Sequence, residues 1–319
     1  MKDFIPGYYN RFRCIADRCP DSCCKEWAVD VDAETADYYR SLPGALGDRL
    51  REVLTDDNTM TITDGRCPMW RQDGLCRIHA ELGHDSLCQT CRDFPRIRHE
   101  FDEFTEFGLE LSCPEAARLI FTTDWDMPSP ETADDPDLQL LLDSRRNALS
   151  VLDAYPLPQA LAIILVYGHH VQAALDGGEL REFTPDAYLL AAEKLPKSAD
   201  WESLFHFFGG LEILTEDWKR RLQAGPNAVS WSPALKAFMR YMVLRYWLQA
   251  VSDLDLVCRV KLAIAACLLV DSMGGDAIST AQLFSKEIEN DPDNVEAILD
   301  GAYAAPALTD QNLLSLLLA

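Results

Sequence analysis

Nine of the eleven cysteines in this chain lie within its first 113 residues, and the other 206 residues hold only two. That asymmetry restricts what the N-terminal third can be. Cysteines used as small core hydrophobes would be spread along the chain. Disulfides need an oxidising compartment and pair in even numbers, whereas nine is odd. Thiolates are soft ligands that select zinc, copper(I) or iron–sulfur clusters. Metal ligation is therefore the reading that fits Cys14, Cys19, Cys23, Cys24, Cys67, Cys76, Cys88, Cys91 and Cys113. Cys258 and Cys267 sit in the apolar text LDLVCRVKLAIAACLLV and read as core residues.

The spacing adds detail. The first group is Cys14-x4-Cys19-x3-Cys23-Cys24, with turn-prone Pro20, Asp21 and Ser22 that let the backbone curl so that sulfurs converge. Adjacent Cys23 and Cys24 project differently, so one of them ligates while the other packs or serves a second centre. Cys67 and Cys76 flank an Asp-Gly turn. Cys88-x2-Cys91 has the bite of a single metal, and Cys113, before Pro114, closes the module. A zinc ribbon needs two C-x2-C pairs, and one exists. The C-x3-C-x2-C run of radical enzymes that use S-adenosylmethionine is missing. His79, His84 and His99 read as surface or hydrogen-bonded histidines before ligands.

The formal net charge is −23, which argues against nucleic acid and anionic membrane surfaces as partners and tolerates a basic protein surface. The N-terminus, MKDFIPGYYNRFRC, has no apolar leader-like region, and the longest apolar stretch, near Leu262–Val270, is too short to span a bilayer. The expectation is a cytoplasmic protein with reduced thiols and no membrane partner.

The length favours about two domains. Residues 124–138, DWDMPSPETADDPDL, hold three prolines, six acidic residues and no basic one, and read as an exposed acidic linker. The expected order is a cysteine-rich metal-binding module over 1–123, the linker over 124–138, and a helical domain over 139–319. The fold class is mainly α: a module with little strand, then a helical bundle. Helical periodicity runs through DLQLLLDSRRNALSVLDAY, PLPQALAIILVYGHHVQAAL, ALKAFMRYMVLRYWLQAV, LVCRVKLAIAACLLVDSM and STAQLFSKEIE. Gly177-Gly178, Gly225-Pro226, Gly274-Gly275 and Asp291-Pro292 supply stops. The best strand candidates are Ala28–Val31 and Thr59–Ile62. His169 and His170, adjacent on a helix, point about 100° apart and do not share a metal. Tyr241, Arg245 and Tyr246 lie one turn apart and are candidates for a cofactor pocket, with core-edge packing as the competing reading. No Gly-rich nucleotide motif, P-loop or G-x-S-x-G is present, and no catalytic residue is identified.

The segments RFRCIADRCPDSCCKEWAVDVD and CPMWRQDGLCRIHAELGHDSLCQTCRDFPR resemble the zinc- or iron-chelating cysteine-cluster family, and within it the flagellin lysine-N-methylase branch. FMRYMVLRYWLQAVSDLDLVCRVKLAIAACLL and FSKEIENDPDNVEAIL are similar to C-terminal segments of that branch; about 124–230 is the least similar stretch. The resemblance implies transfer of a methyl group from S-adenosylmethionine to lysine side chains of a protein substrate, flagellin. It also implies a [4Fe-4S] cluster, with zinc as the alternative, and the nine cysteines as candidate ligands. One such cluster takes four thiolates, so the rest are spare or serve a second metal. Asn290 stands where the branch's pattern has histidine, and the chain is short for the branch. The alternative is a non-catalytic metal-binding, redox-sensing or scaffold protein with a structural cysteine cluster.

Overall fold

The structure, a computed structural model, describes residues 2–195 and 198–319. Helix covers 59% and strand 8%, which makes the chain mainly α, as its periodicity predicts. The five periodic segments become Pro136–Ala154, Leu157–Leu175, Pro233–Tyr246, Val257–Ser272 and Ala277–Phe284. Their ends follow local chemistry. Asp135 caps the first by accepting the Asp137 and Leu138 N–H groups, with Pro136 at the first helical position. Gly177 follows the second at φ +88°, a conformation that an L side chain resists.

Val257–Ser272 is buried at every position. Its text lacks a polar stripe because neighbours cover it all round: Pro233–Tyr246, Leu157–Leu175, Pro292–Ala304 and Asp310–Leu317 pack against it. The charges on it are partnered. Asp271 accepts the N–H groups of Ser230 and Trp231, and Lys261 donates to Ala302 O at 2.8 Å. His169 pairs with Asp310 at 2.8 Å while His170 lies against the Tyr188 ring, so the two rings serve separate contacts.

The two strand candidates pair with each other. β2 (Val29–Asp30) runs antiparallel to β3 (Thr59–Met60). The sequence did not announce the larger sheet, in which β1 (Lys2–Phe4) is parallel to β5 (Phe104–Leu109) and β4 (Arg96–Glu100) is antiparallel to it. β5 is hard to read because its Glu106 is buried. Arg145, from Pro136–Ala154, neutralises that carboxylate with two hydrogen bonds of 2.8 and 2.6 Å.

Two hydrophobic clusters form. The larger joins β1, β5, the helix Pro114–Thr122 and the helices after residue 136. The smaller gathers Val29, Tyr39, Leu50, Met69, Ile78 and others with two of the thiols, Cys67 and Cys88. Residues 124–135 carry no helix or strand, but they are only partly exposed. Trp125 and Met127 pack on the larger cluster, and the Trp125 indole N–H donates to Ile120 O at 2.9 Å. Among the described residues, no helix is long and apolar enough to cross a membrane.

Candidate functional site

Backbone pairing brings the distant cysteines of the module together. Cys67 N–H donates to Cys24 O at 2.8 Å, and the Ser22 hydroxyl accepts the Cys24 N–H. The Asp-Gly turn forms with Gly74 at φ +80°, and Trp70 bridges to Cys76 across it. Cys88 precedes the short helix Gln89–Asp93, which carries Cys91. Cys67 and Cys88 lie inside the smaller cluster, and Cys24 and Cys76 pack against it. The Cys23 thiol acts on that of Cys24, and the Cys88 and Cys91 thiols act on one another.

The electrostatics of these thiols is that of buried sulfur. The bond from Cys23, then burial, pushes the Cys24 thiol up. Burial raises Cys67 to about 12 and raises Cys76 as well. Within the Cys88–Cys91 pair, the interaction of the two thiols lowers Cys88 and raises Cys91. Cys113 stands apart: it packs against the larger cluster, and burial raises it to about 11. Thiols are soft donors, and in donor chemistry alone they suit a thiophilic centre. Among the described residues, no three His, Cys, Asp or Glu side chains converge on one point as ligands of a single ion would. His79 and His84 meet edge to face at 5.9 Å.

A cleft of about 670 Å³ opens beside the first cysteine loop. Ile15, Pro20, Asp21, Glu26, Asp217, Gln282 and Lys286 are among the residues that line it. Lys286 is buried; its Nζ lies 3.0 Å from Asp21 Oδ2 and 2.6 Å from Glu26 Oε2, with the Trp27 ring 5.2 Å away. Burial alone would raise the Asp21 carboxyl, but Lys286, with the Ser22 backbone and Lys25, outweighs it and holds Asp21 below the usual carboxylate range. Lys286 is itself raised, because the two carboxylates outweigh its burial.

Lys286 belongs to a feature the sequence reading missed. The end of STAQLFSKEIE is a π-helical turn, Ser285–Glu289, of a kind that is rare and often found at functional sites. All five of its residues are buried. Lys286 reaches the thiol loop, and Glu287 accepts the Leu214 N–H at 2.8 Å. Glu289 accepts the Tyr246 hydroxyl at 2.9 Å and the Tyr241 hydroxyl at 3.2 Å, and lies 2.9 Å from Arg245 Nε. The available signal was three charged residues in the buried text SKEIE.

Tyr241, Arg245 and Tyr246 therefore converge on Glu289. The space beside Tyr241 and Arg245 is about 30 Å³, lined also by Tyr8, His99 and Glu106. That volume holds about two water molecules. His99 Nε2 and Arg245 Nη1 are buried without a hydrogen-bond partner among the described residues. Burial, then the positive charges of Arg245 and Arg145, lowers His99 to about 4. Folded chain keeps this ring neutral where unfolded chain protonates it. Unfolded chain therefore binds the extra proton between pH 6.5 and 4, and stability falls as pH drops through that window. The loss is at most about 1.4 kcal/mol per pH unit. Urea midpoints of the parent and of His99→Gln between pH 7 and 4 check this: the variant's slope against pH is expected to be shallower, and an equal slope refutes it.

The chain is 30% identical to the flagellar biosynthetic protein FliU of Salmonella muenchen over an alignment of 129 positions that covers 36% of this chain and 74% of that protein. It is also 30% identical over 129 residues to the lysine-N-methylase of Salmonella typhimurium. The chain belongs to the flagellin lysine-N-methylase family. A third member of the family, the lysine-N-methylase of Salmonella choleraesuis, is 29% identical over the same length. The match spans 31% of each of these two lysine-N-methylases, so less than a third of their length has a counterpart here. No family model and no solved structure matches the chain.

Proposed function

We propose that the chain methylates lysine side chains of a protein substrate, flagellin first among those to test, with S-adenosylmethionine as donor. In this reading residues 1–123 bear a metal centre, an iron–sulfur cluster or else zinc, and 139–319 form the helical half, joined through 124–138 in a reducing cytoplasm. The observation that carries the reading is the cleft beside the cysteine loop, in a chain whose relatives are named lysine-N-methylases.

The cleft has the size of a small-molecule site, about 300–1,000 Å³. Its walls carry carboxylates, Asp21, Glu26, Glu115, Glu216 and Asp217, and the cations Arg118, Arg221 and Lys286. The donor, when bound, supplies a methyl group on a sulfonium. A lysine amine must be neutral to attack it. The carboxylates attract the ammonium form and take its proton, while the partly apolar walls, Ile15, Ile278 and Leu283, disfavour the charged state. Arg118 and Arg221 suit the donor's carboxylate.

The test is incubation of the full chain with flagellin and methyl-labelled donor without air, followed by mapping of label to lysine. Glu216 is an exposed carboxylate at the cleft. Glu216→Lys is expected to raise KM for the protein substrate with kcat nearly unchanged, an approximately tenfold loss in kcat/KM, worth about 1.4 kcal/mol. Absence of label with metal in place refutes the reading for flagellin.

One observation favours a second reading, a non-catalytic metal or redox module: the chain matches less than a third of the lysine-N-methylases. That reading requires that calorimetry detect no binding of S-adenosylmethionine.

A further inference from the structure

We propose that residues 14–94 form one body that swings against the rest of the chain, and that Lys286 latches this body closed beside the cleft. That the cleft takes a methyl donor and a lysine rests on the function proposed above; the movement itself does not.

Three observations place the boundary. The first is apolar packing. The smaller hydrophobic cluster and the side chains packed on it lie between residues 24 and 88, while the larger one has members up to Phe12 and then from Phe101 onward. No residue belongs to both. The second is topology. β1 precedes residues 14–94 and β4 follows them, yet both pair with β5, so the sheet closes without them. The third is polar contact. Among the described residues, the hydrogen bonds and ion pairs between 14–94 and the rest of the chain end on Asp21 and Glu26. Gln282 Nε2 and Lys286 Nζ reach Asp21 Oδ2 at 3.3 and 3.0 Å, and Lys286 Nζ reaches Glu26 Oε2 at 2.6 Å.

A narrow polar joint of this kind is where bodies within one chain move, with the chain crossings beside it as hinges. Here the crossings are Arg13–Cys14 and Phe94–Pro95. The Asp21 and Glu26 side chains are 23% and 31% exposed, so water already reaches both carboxylates, whereas Lys286 is 2% exposed. Opening therefore hydrates one buried ammonium and leaves both apolar clusters whole. An ammonium is strongly hydrated, which offsets part of the loss of its two partners. The cleft is lined from both bodies: Ile15, Pro20, Asp21 and Glu26 come from 14–94, and the other lining residues lie between 114 and 286. Its width depends on the joint. Opening admits a side chain carried on a protein, and closure returns Asp21 and Glu26 to Lys286 and narrows the space around it.

The test is hydrogen-exchange mass spectrometry on the full chain, purified without air, with small-angle X-ray scattering on the same samples. The variants are Lys286→Met, which removes the charge at similar length, and Gln282→Ala, a milder cut at the same joint. In Lys286→Met the backbone amides of 14–28 and 277–290 are expected to exchange about tenfold faster than in the parent. Gln282→Ala is expected to move the same stretches less. The slow amides of the two cores, around Leu50 and around Ile264, are expected to keep parental rates. The radius of gyration is expected to rise in Lys286→Met, and Lys286→Arg, which keeps the charge, is expected to restore it. Parental exchange at 14–28 overturns the proposal. So does an equal rise in both cores, which marks a general loss of stability, and so does faster exchange at an unchanged radius of gyration, which marks a fraying loop. If Lys286→Met does not fold, exchange in Gln282→Ala decides by the first two criteria. S-adenosylmethionine added to the parent is expected to slow exchange at both stretches. Failure to do so counts against the methyl-donor reading and leaves the latch standing.

Discussion

Glu289→Ala is expected to lower the stability of the chain by about 3–5 kcal/mol, because it strands a buried cation. The Glu289 side chain is 1% exposed and that of Arg245 is 11% exposed. Arg245 Nη1 has no hydrogen-bond partner even with Glu289 present, so little else would compensate it. The Tyr241 and Tyr246 hydroxyls lose their acceptor in the same step. Urea unfolding measures the loss. The informative control is the double variant Glu289→Leu with Arg245→Met, which removes both charges and should recover most of the stability. A Glu289→Ala midpoint equal to that of the parent would mean that the π turn is not anchored by this network.

The second large effect lies at the sheet. Arg145 and Glu106 are 1% and 4% exposed and share a two-pronged hydrogen-bonded pair. Arg145→Met leaves the Glu106 carboxylate buried on β5 with no cation in contact, at a cost of about 3–5 kcal/mol. Glu106→Gln combined with Arg145→Met should cost markedly less, since an uncharged amide tolerates burial better than a carboxylate. If the single and double variants unfold at the same denaturant concentration, the pair contributes nothing through its charge and the sheet is held by apolar packing alone.

These two pairs also show where sequence reading stopped. Helices such as Leu157–Leu175 and Val257–Ser272 were legible because their apolar spacing is a local property. So were β2 and β3, flagged by short strand-like text at Ala28–Val31 and Thr59–Ile62. β5 was not legible, because the partner that makes Glu106 acceptable inside is 39 residues away. Tyr241, Arg245 and Tyr246 drew attention as a polar triplet on one helix. Their significance lies in Glu289, more than 40 residues further on. The thiols were visible as a group from composition alone. That Cys113 packs on the larger core while Cys67 and Cys88 lie in the smaller one depends on tertiary contacts, which no spacing rule encodes.

The π turn at Ser285–Glu289 has a consequence for how relatives of this chain are compared. Such a turn contains one residue more than the α-helical turn it replaces. Removing any one residue there would re-phase the helix by about 100°. Lys286 could then no longer face the thiol loop while Glu289 faces Arg245. A single-residue gap in an aligned relative at this point would therefore mark a mechanical disconnection between its two halves, even if every cysteine and every charged side chain were still in place.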